Sequence, residues 1–447
     1  MLSIAIILIT AATLCIICAN PKVGSLLIWS ILFTYPHAWW YYHQFLPWNI
    51  GVDDIYCIVL FLVVLIRRNM LSGIPIRVGY AFWIITAFFI IGVVSTFSGY
   101  TYAPAFYAPL YIKEALKHGI FWLLFYSVLH CIDNREDFRN QFTMFSLAAT
   151  AGAVVVILHY FFTYTIDPIF GSPFLTERMG VILRYRGVGS FSDPNGAACV
   201  LVCCLIFLLT TIQLYRRLVF KILAYSSVFL MLIGVMVTQS RSGLMTLIGS
   251  FLLMALFSKT KKIAWLVVVS GIIVVLLTPN IRGEFWERIA ESYDPTSGTY
   301  GVSVYGRFGT WKSYFENSTA QTYVFGQGFT QGVEKNVGET HSAYISLITV
   351  YGFGSVVWAI VGAIIFFKKV SALKRSPDPL ISIVASGCFW SLIAWGIYGT
   401  SADAVSNQYT RYLLFYWVVL IDRASALAYR EQESTVHDEE IRCEMAL

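Results

Sequence analysis

The stretch AACVLVCCLIFLLTTIQL, residues 197–214, carries no charged side chain over eighteen positions and is followed at once by Arg216 and Arg217. A bilayer crossing needs about 20 predominantly apolar residues. A strand of a soluble sheet usually runs only about 5–6. The run therefore reads as a helix solvated by lipid, with a basic stop at one end. Working outward, the same pattern recurs at 2–18, 23–34, 55–66, 78–97, 119–131, 142–165, 219–237, 244–257, 263–279, 343–367, 381–397 and 412–421. The expected fold is an all-α polytopic integral membrane protein with about 12–13 transmembrane helices and one large extracytoplasmic loop.

Composition agrees. Of 447 residues 57% are hydrophobic and 13% charged, where a soluble domain carries about 25% charged residues. The mean hydropathy is +0.69. A soluble enzyme is excluded. The net charge of +6 first reports topology in such a chain, and no basic stripe with interleaved aromatics suggests nucleic acid. Cys15, Cys18, Cys57, Cys199, Cys203, Cys204 and Cys388 sit in apolar runs and are expected to be buried free thiols. The first segment is expected to be a retained span rather than a signal peptide.

Lys and Arg in short loops set the orientation. With alternating spans, Arg67, Arg68 and Arg77 share one side with Arg135 and Arg139, Arg216, Arg217 and Lys221, Lys259, Lys261 and Lys262, and Lys368, Lys369, Lys374 and Arg375. That side is expected to be the cytoplasm, so residues 1–422 form a transmembrane domain and 423–447 a cytoplasmic polar tail. The aromatic stretch at 35–48 and the long segment 280–341, the extracytoplasmic loop, then face outward. His130 and His159, inside apolar runs, are expected to be packed or hydrogen-bonded.

Several arginines break the pattern by falling on the outer side, beside span ends. Arg184 and Arg186 precede Phe191-Ser192-Asp193-Pro194-Asn195, Arg241 sits in Ser240-Arg241-Ser242-Gly243, Arg307 follows Gly306, and Arg411 opens the last span. A charge at membrane depth costs a few kcal/mol, and guanidinium groups bind phosphates bidentately. Their convergence points to an anionic ligand entering from the lipid side, such as a diphosphate on a lipid carrier. Pairing with Asp193 or Asp403, or snorkelling, is the alternative for any single arginine. His341, in Glu339-Thr340-His341-Ser342-Ala343-Tyr344, stands at the outward start of an apolar run. A helix dipole there favours the neutral imidazole, which can accept a proton.

These motifs resemble the O-antigen ligase and polymerase superfamily of bacterial membrane glycosyltransferases. The likeness is carried by Asp193-Pro194-Asn195, Ser240-Arg241-Ser242-Gly243, Gly306-Arg307 with Trp311, Gly326-x-Gly328-Phe329, His341-Ser342-x-Tyr344 and Gly352-x-Gly354. It implies a GT-C-like architecture and transfer of a glycan from a polyprenyl-diphosphate carrier to an acceptor hydroxyl, inverting and independent of metal or other cofactor. The face implied is the outer, periplasmic face of the bacterial inner membrane. The donor is the lipid-linked glycan, and the acceptor is lipid A-core or another glycan or protein hydroxyl. Carried over by position, Arg186, Arg241 and Arg307 hold the diphosphate, His341 is the catalytic base, and Asp193, Asn195, Arg184 and Arg411 support them. A repeat-unit polymerase is the nearest alternative, and a transporter or flippase the more distant one.

Overall fold

The computed structural model describes residues 2–34, 51–101, 108–162, 176–178, 181–184, 186–191, 193–258, 261, 265, 269, 293–294, 299–300, 302–316, 318–328, 342–405 and 407–446. The aromatic stretch at 35–48, nearly all of the apolar run at 263–279 and most of 280–341 lie outside them.

The chain opens with helices α1 (Leu2–Ala19), α2 (Pro21–Thr34) and α3 (Val52–Val63), the last running on as a π-helical turn, Val64–Leu71. Next come α4 (Tyr80–Tyr100), α5 (Ala108–Cys131) and α6 (Arg135–Phe161), then α7 (Pro194–Thr211), α8 (Leu218–Val237) and α9 (Arg241–Phe257). After the short helices α10 (Val302–Glu316), α11 (Ala320–Phe325) and α12 (Ala343–Thr349) follow α13 (Phe353–Leu373), α14 (Pro379–Gly399) and α15 (Gln408–Ala446). Among the described residues, seven helices are long and apolar enough to cross a membrane, and three shorter apolar ones accompany them. The architecture is that of an all-α polytopic membrane protein. Two small antiparallel pairs, Thr176–Arg178 with Val181–Arg184 and Tyr293–Asp294 with Thr299–Tyr300, add β structure that the apolar runs did not announce.

The stretch that opened the reading is the axis of the bundle. In α7, 89% of the apolar window is buried, against 17% in α13 and 22% in α8, so α7 is central and the other two present broad faces to lipid. Lipid tails are as apolar as Leu, so close packing rather than water exclusion holds such helices together. The Ser391 hydroxyl of α14 donates to the Cys203 carbonyl of α7 at 2.9 Å. Beside them Phe207 stacks on Trp417 and Phe145 on Tyr416, with ring centroids 4.7 and 4.1 Å apart. Cys57, Cys199, Cys203, Cys204 and Cys388 are buried and free, but Cys15 and Cys18 are exposed. The expectation fails for these two because α1 lies at the edge of the bundle, its contacts being with α2 and α3. His130 and His159 are packed as expected, with ring nitrogens accepting from Arg77 N and Gly189 N.

Three boundaries differ from the apolar runs. α5 begins at Ala108 and so takes in Lys113, Glu114 and Lys117, because Lys117 is ion-paired with buried Asp54 of α3. α6 begins at Arg135, not 142. Asn134 caps it by accepting from Asp137 N at 2.8 Å, and Glu136 and Asp137 favour the positive helix end. The apolar run 343–367 is not one helix. α12 ends at Thr349 and α13 starts at Phe353, with Gly352 between them at φ +78°. At the C-terminal end, α15 passes through position 423 without a break and keeps Arg423 buried.

One end of the bundle gathers loops that share a side in the alternating-span reading. Arg68 of the π-helical turn and Arg77 both hold the Asp133 carboxylate, and Lys22 reaches Asp133 and Asp137 at 3.0 and 2.6 Å. Arg135 pairs with Asp378, ahead of α14, at 2.5 Å.

Candidate active site

At the other end, Arg186 anchors the approach to α7. Its Nε donates to the Thr238 carbonyl at 2.9 Å, and Nη2 reaches Asn195 Oδ1 at 3.4 Å and the Gln239 carbonyl at 3.5 Å. Arg186 is thereby fastened to the turn between α8 and α9. That turn is tight: Gln239 has φ +50°, and Ser240 accepts from Gly243 N at 3.1 Å to cap α9. Arg241 is the first residue of α9 and is half-buried. The two turns are also tied directly, since the Ser240 hydroxyl donates to Asn195 Oδ1 at 2.8 Å. Asp193 caps its own helix, accepting from Gly196 N at 2.6 Å, and Asn195 Nδ2 lies 3.5 Å from its other oxygen. Among the described residues no cation pairs with Asp193. Asp193, one of the carboxylates offered by sequence as a neutralising partner, is occupied by helix capping. A Cβ on Gly243 would lie 2.4 Å from the Ala198 Cβ, so the small residues are what let α7 and α9 begin side by side.

The second motif group reaches the same end through the segment between α14 and α15. Ser242 donates to the Ser401 carbonyl at 3.3 Å. Ser342 donates to the Gly399 carbonyl at 3.4 Å, and Ala343 N to the Ala402 carbonyl at 3.2 Å. The Ser346 hydroxyl donates to Asp403. From the start of α15, Asn407 packs against Gly196 and the Tyr409 hydroxyl donates to the Ser190 carbonyl at 2.8 Å. The segment 399–409 therefore touches the start of α7, the start of α9 and the start of α12. His341 lies outside the described residues, but its neighbour Ser342 is buried at this junction.

The two glycine motifs of the sequence meet as backbone. Gln327 N donates to the Thr349 carbonyl at 3.2 Å and Gly328 N to the Val350 carbonyl at 3.1 Å. Carbonyls left open where α12 ends are satisfied in this way. A Cβ at Gly326 would lie 2.3 Å from the Val350 oxygen, and one at Gly352 2.4 Å from Gly326 N. With φ at +80° and +78° as well, both positions are confined to glycine. Irregular backbone within an apolar stretch is tolerated where protein buries it, and Gly326, Gln327 and Gly328 are all buried.

Not every residue chosen from sequence joins the Arg186 group. Arg411 is one turn inside α15, only 7% exposed. Its Nη1 donates to the Tyr351 hydroxyl at 3.3 Å, and its guanidinium lies over Phe121 and Phe88, 5.3 and 6.0 Å from the ring centroids. Among the described residues, neither Asn195 nor the 238–243 turn hydrogen-bonds to it. Arg411, expected as a supporting residue, reaches inward because Tyr351, at the helix break, and two aromatic faces receive it. Arg184 lies on the strand Val181–Arg184 and Arg307 within α10. Sequence reading passed over Lys117 with Asp54, Gln408, which donates to Asp53 at 3.2 Å, and Ser401. The charged ones were legible as breaks in apolar runs. Ser401 contributes a backbone carbonyl and had no signal.

Residues 226–359 match the family model described as O-antigen ligase. That segment is similar to the O-antigen ligase family. It contains Arg241, Arg307 and His341, whereas Arg184, Arg186, Asp193, Asn195 and Arg411 lie outside it. The bonds that Arg186 donates to the Thr238 and Gln239 carbonyls and that Asn195 accepts from Ser240 attach the matched segment to the helices before it, and segment 399–409 attaches it to those after it. No curated protein matches the chain.

Proposed function

We propose that the protein transfers a glycan from a polyprenyl-diphosphate carrier to an acceptor hydroxyl, in the manner of an O-antigen ligase, at the periplasmic face of the bacterial inner membrane. The observation that carries this reading is the tethering of Arg186 to the turn that starts α9 at Arg241. Residues 55 positions apart are brought to one end of the bundle, beside the segment that also holds Ser342.

In this reading Arg186, Arg241 and Arg307 stabilise the diphosphate as charge develops on it, which is the electrostatic part of catalysis. Arg184, Asp193 and Asn195 support them by fixing the approach to α7. His341 accepts the proton of the acceptor hydroxyl. The acceptor oxygen bonds to the anomeric carbon from the face opposite the leaving group, the bond from that carbon to the diphosphate oxygen breaks, and polyprenyl diphosphate departs. The configuration inverts.

Glycan transfer by the purified, folded protein tests this. Arg241→Ala is expected to lower the rate by about a hundredfold or more, the usual cost of losing one charge-stabilising donor, and His341→Ala to abolish the proton-transfer contribution of about 10²–10⁴. Full activity in both folded variants refutes the assignment. Offering lipid A-core, or only lipid-linked repeats, as acceptor distinguishes a ligase from a repeat-unit polymerase by which product forms.

A further inference from the structure

Among the described residues, the end of the bundle remote from the candidate site holds two guanidinium groups that no carboxylate pairs. Arg423 lies about 22 Å along α15 from Gln408, at 1.5 Å per residue. It is within electrostatic reach of Arg77, Asp422, Arg430 and Asp133. Among the described side chains around it, each carboxylate is engaged. Asp133 holds Arg68, Arg77 and Lys22. Asp137 accepts from Lys22 and from Asp133 N, the latter at 3.1 Å. Asp422 accepts from Ala81 N at 3.4 Å, so close to α4 that a Cβ on Gly79 would lie 2.4 Å from its Oδ1.

Two guanidinium groups are left over. Arg423 is 4% exposed, and its Nε and Nη2 are enclosed with no hydrogen-bond partner. Arg430, exposed, donates to the Asp133 backbone carbonyl at 3.4 Å and, among the described residues, pairs with no carboxylate. Seven residues apart, the two share one face of α15. The helix leaves the bundle between them, for Leu427 is buried at 6% and Tyr429 is 61% exposed. An unpaired charge held at such a boundary is unfavourable, and a bound anion offsets it. Guanidinium groups take phosphate oxygens bidentately, and basic pockets at the ends of membrane helices receive lipid headgroups.

We infer that Arg423 and Arg430, backed by Arg77, form a binding site for a phosphate group, supplied by the headgroup of an anionic phospholipid in the adjoining leaflet. The site is independent of glycan transfer. The full-length protein, reconstituted with equal amounts of phosphatidylglycerol and phosphatidylcholine and released into mild detergent, is examined by native mass spectrometry. Phosphatidylglycerol is expected to be retained over phosphatidylcholine, and the preference to be lost in Arg423→Gln and in Arg430→Gln. Arg430 is exposed, so its variant keeps the test open should loss of buried Arg423 prevent folding. Thermal unfolding with inorganic phosphate alone separates the sources. A rise in Tm in the wild type but not in Arg430→Gln supports the phosphate site and shows that a free anion also fills it. Equal retention of the two lipids, or an undiminished preference in a folded Arg430→Gln, overturns the proposal.

Discussion

At Asn195 one amide oxygen accepts both the Ser240 hydroxyl and an Arg186 nitrogen, while its amide nitrogen faces Asp193. The side chain thus joins the start of α7 to the start of α9. Asn195→Ala removes that acceptor from two donors at once. Each net hydrogen bond contributes about 0.5–1.5 kcal/mol, so Tm in detergent is expected to fall and glycan transfer to weaken with it. A variant with unchanged Tm and activity would show that the junction is held by backbone bonds alone. Arg186 makes a second residue-scale case. It spends Nε on Thr238 and directs Nη2 to Asn195 and Gln239, a fork that the single ammonium of lysine does not reproduce. Arg186→Lys is therefore expected to retain the charge but lose most of the transfer activity, seen as a lower kcat in a folded protein. Wild-type kcat would mean that charge alone suffices there. Arg186, Asn195 and Arg241 were legible as polar residues at span ends. The direction taken by Arg411 was not, because it depends on Tyr351, sixty positions away, and on which rings stand beside it.

Among the elements, the interrupted span after Ser342 carries the clearest consequence. α12 and α13 are separated because Gly352 at φ +78° lets Gly326–Gly328 lie against Thr349–Gly352. Gly352→Ala places a Cβ in a backbone conformation that only glycine holds comfortably, costing about 1–3 kcal/mol, and 2.4 Å from Gly326 N. The variant is expected to unfold at lower temperature and to lose transfer activity, whereas Gly354→Ala, with open space at its Cβ, should do neither. Equal behaviour of the two variants in thermal unfolding would contradict the crossing. From sequence the two glycine motifs were visible as motifs, but an apolar run of this length reads as one helix. Hydropathy measures solvation by lipid and is blind to a backbone break whose open groups are satisfied by another segment. The early starts of α5 and α6 escaped for a related reason. Lys117 and Arg135 look like loop charges until Asp54 and Asp378 are found opposite them.

For the molecule as a whole, the Asp133 hub ties the connections around α2, the π-helical turn and α6 into one end of the bundle. Burial pushes the Asp133 carboxyl up, but bonds from Arg68, Lys22 and Arg77 outweigh it and hold the group well below its ordinary value of 3.8. A depressed folded value means that the unfolded chain takes up the proton first. The stabilisation is therefore complete at neutral pH and is lost as pH falls from about 4 toward the folded value. Tm is expected to drop on acidification below about pH 4, and Asp133→Asn to be less stable at pH 7 by about 1–3 kcal/mol with a flatter acid limb. A parallel acid limb in the variant would remove Asp133 from the account. The membrane class, most of the helices and the order of the polar motifs follow from sequence alone, since local composition fixes whether a segment can be solvated by lipid. Tertiary structure alone decided that Arg186 meets the α8–α9 turn, that two glycine motifs cross, and that Arg411 turns inward. Each of these depends on which distant backbone carbonyl, carboxylate or aromatic face offers a partner, and no local pattern encodes that.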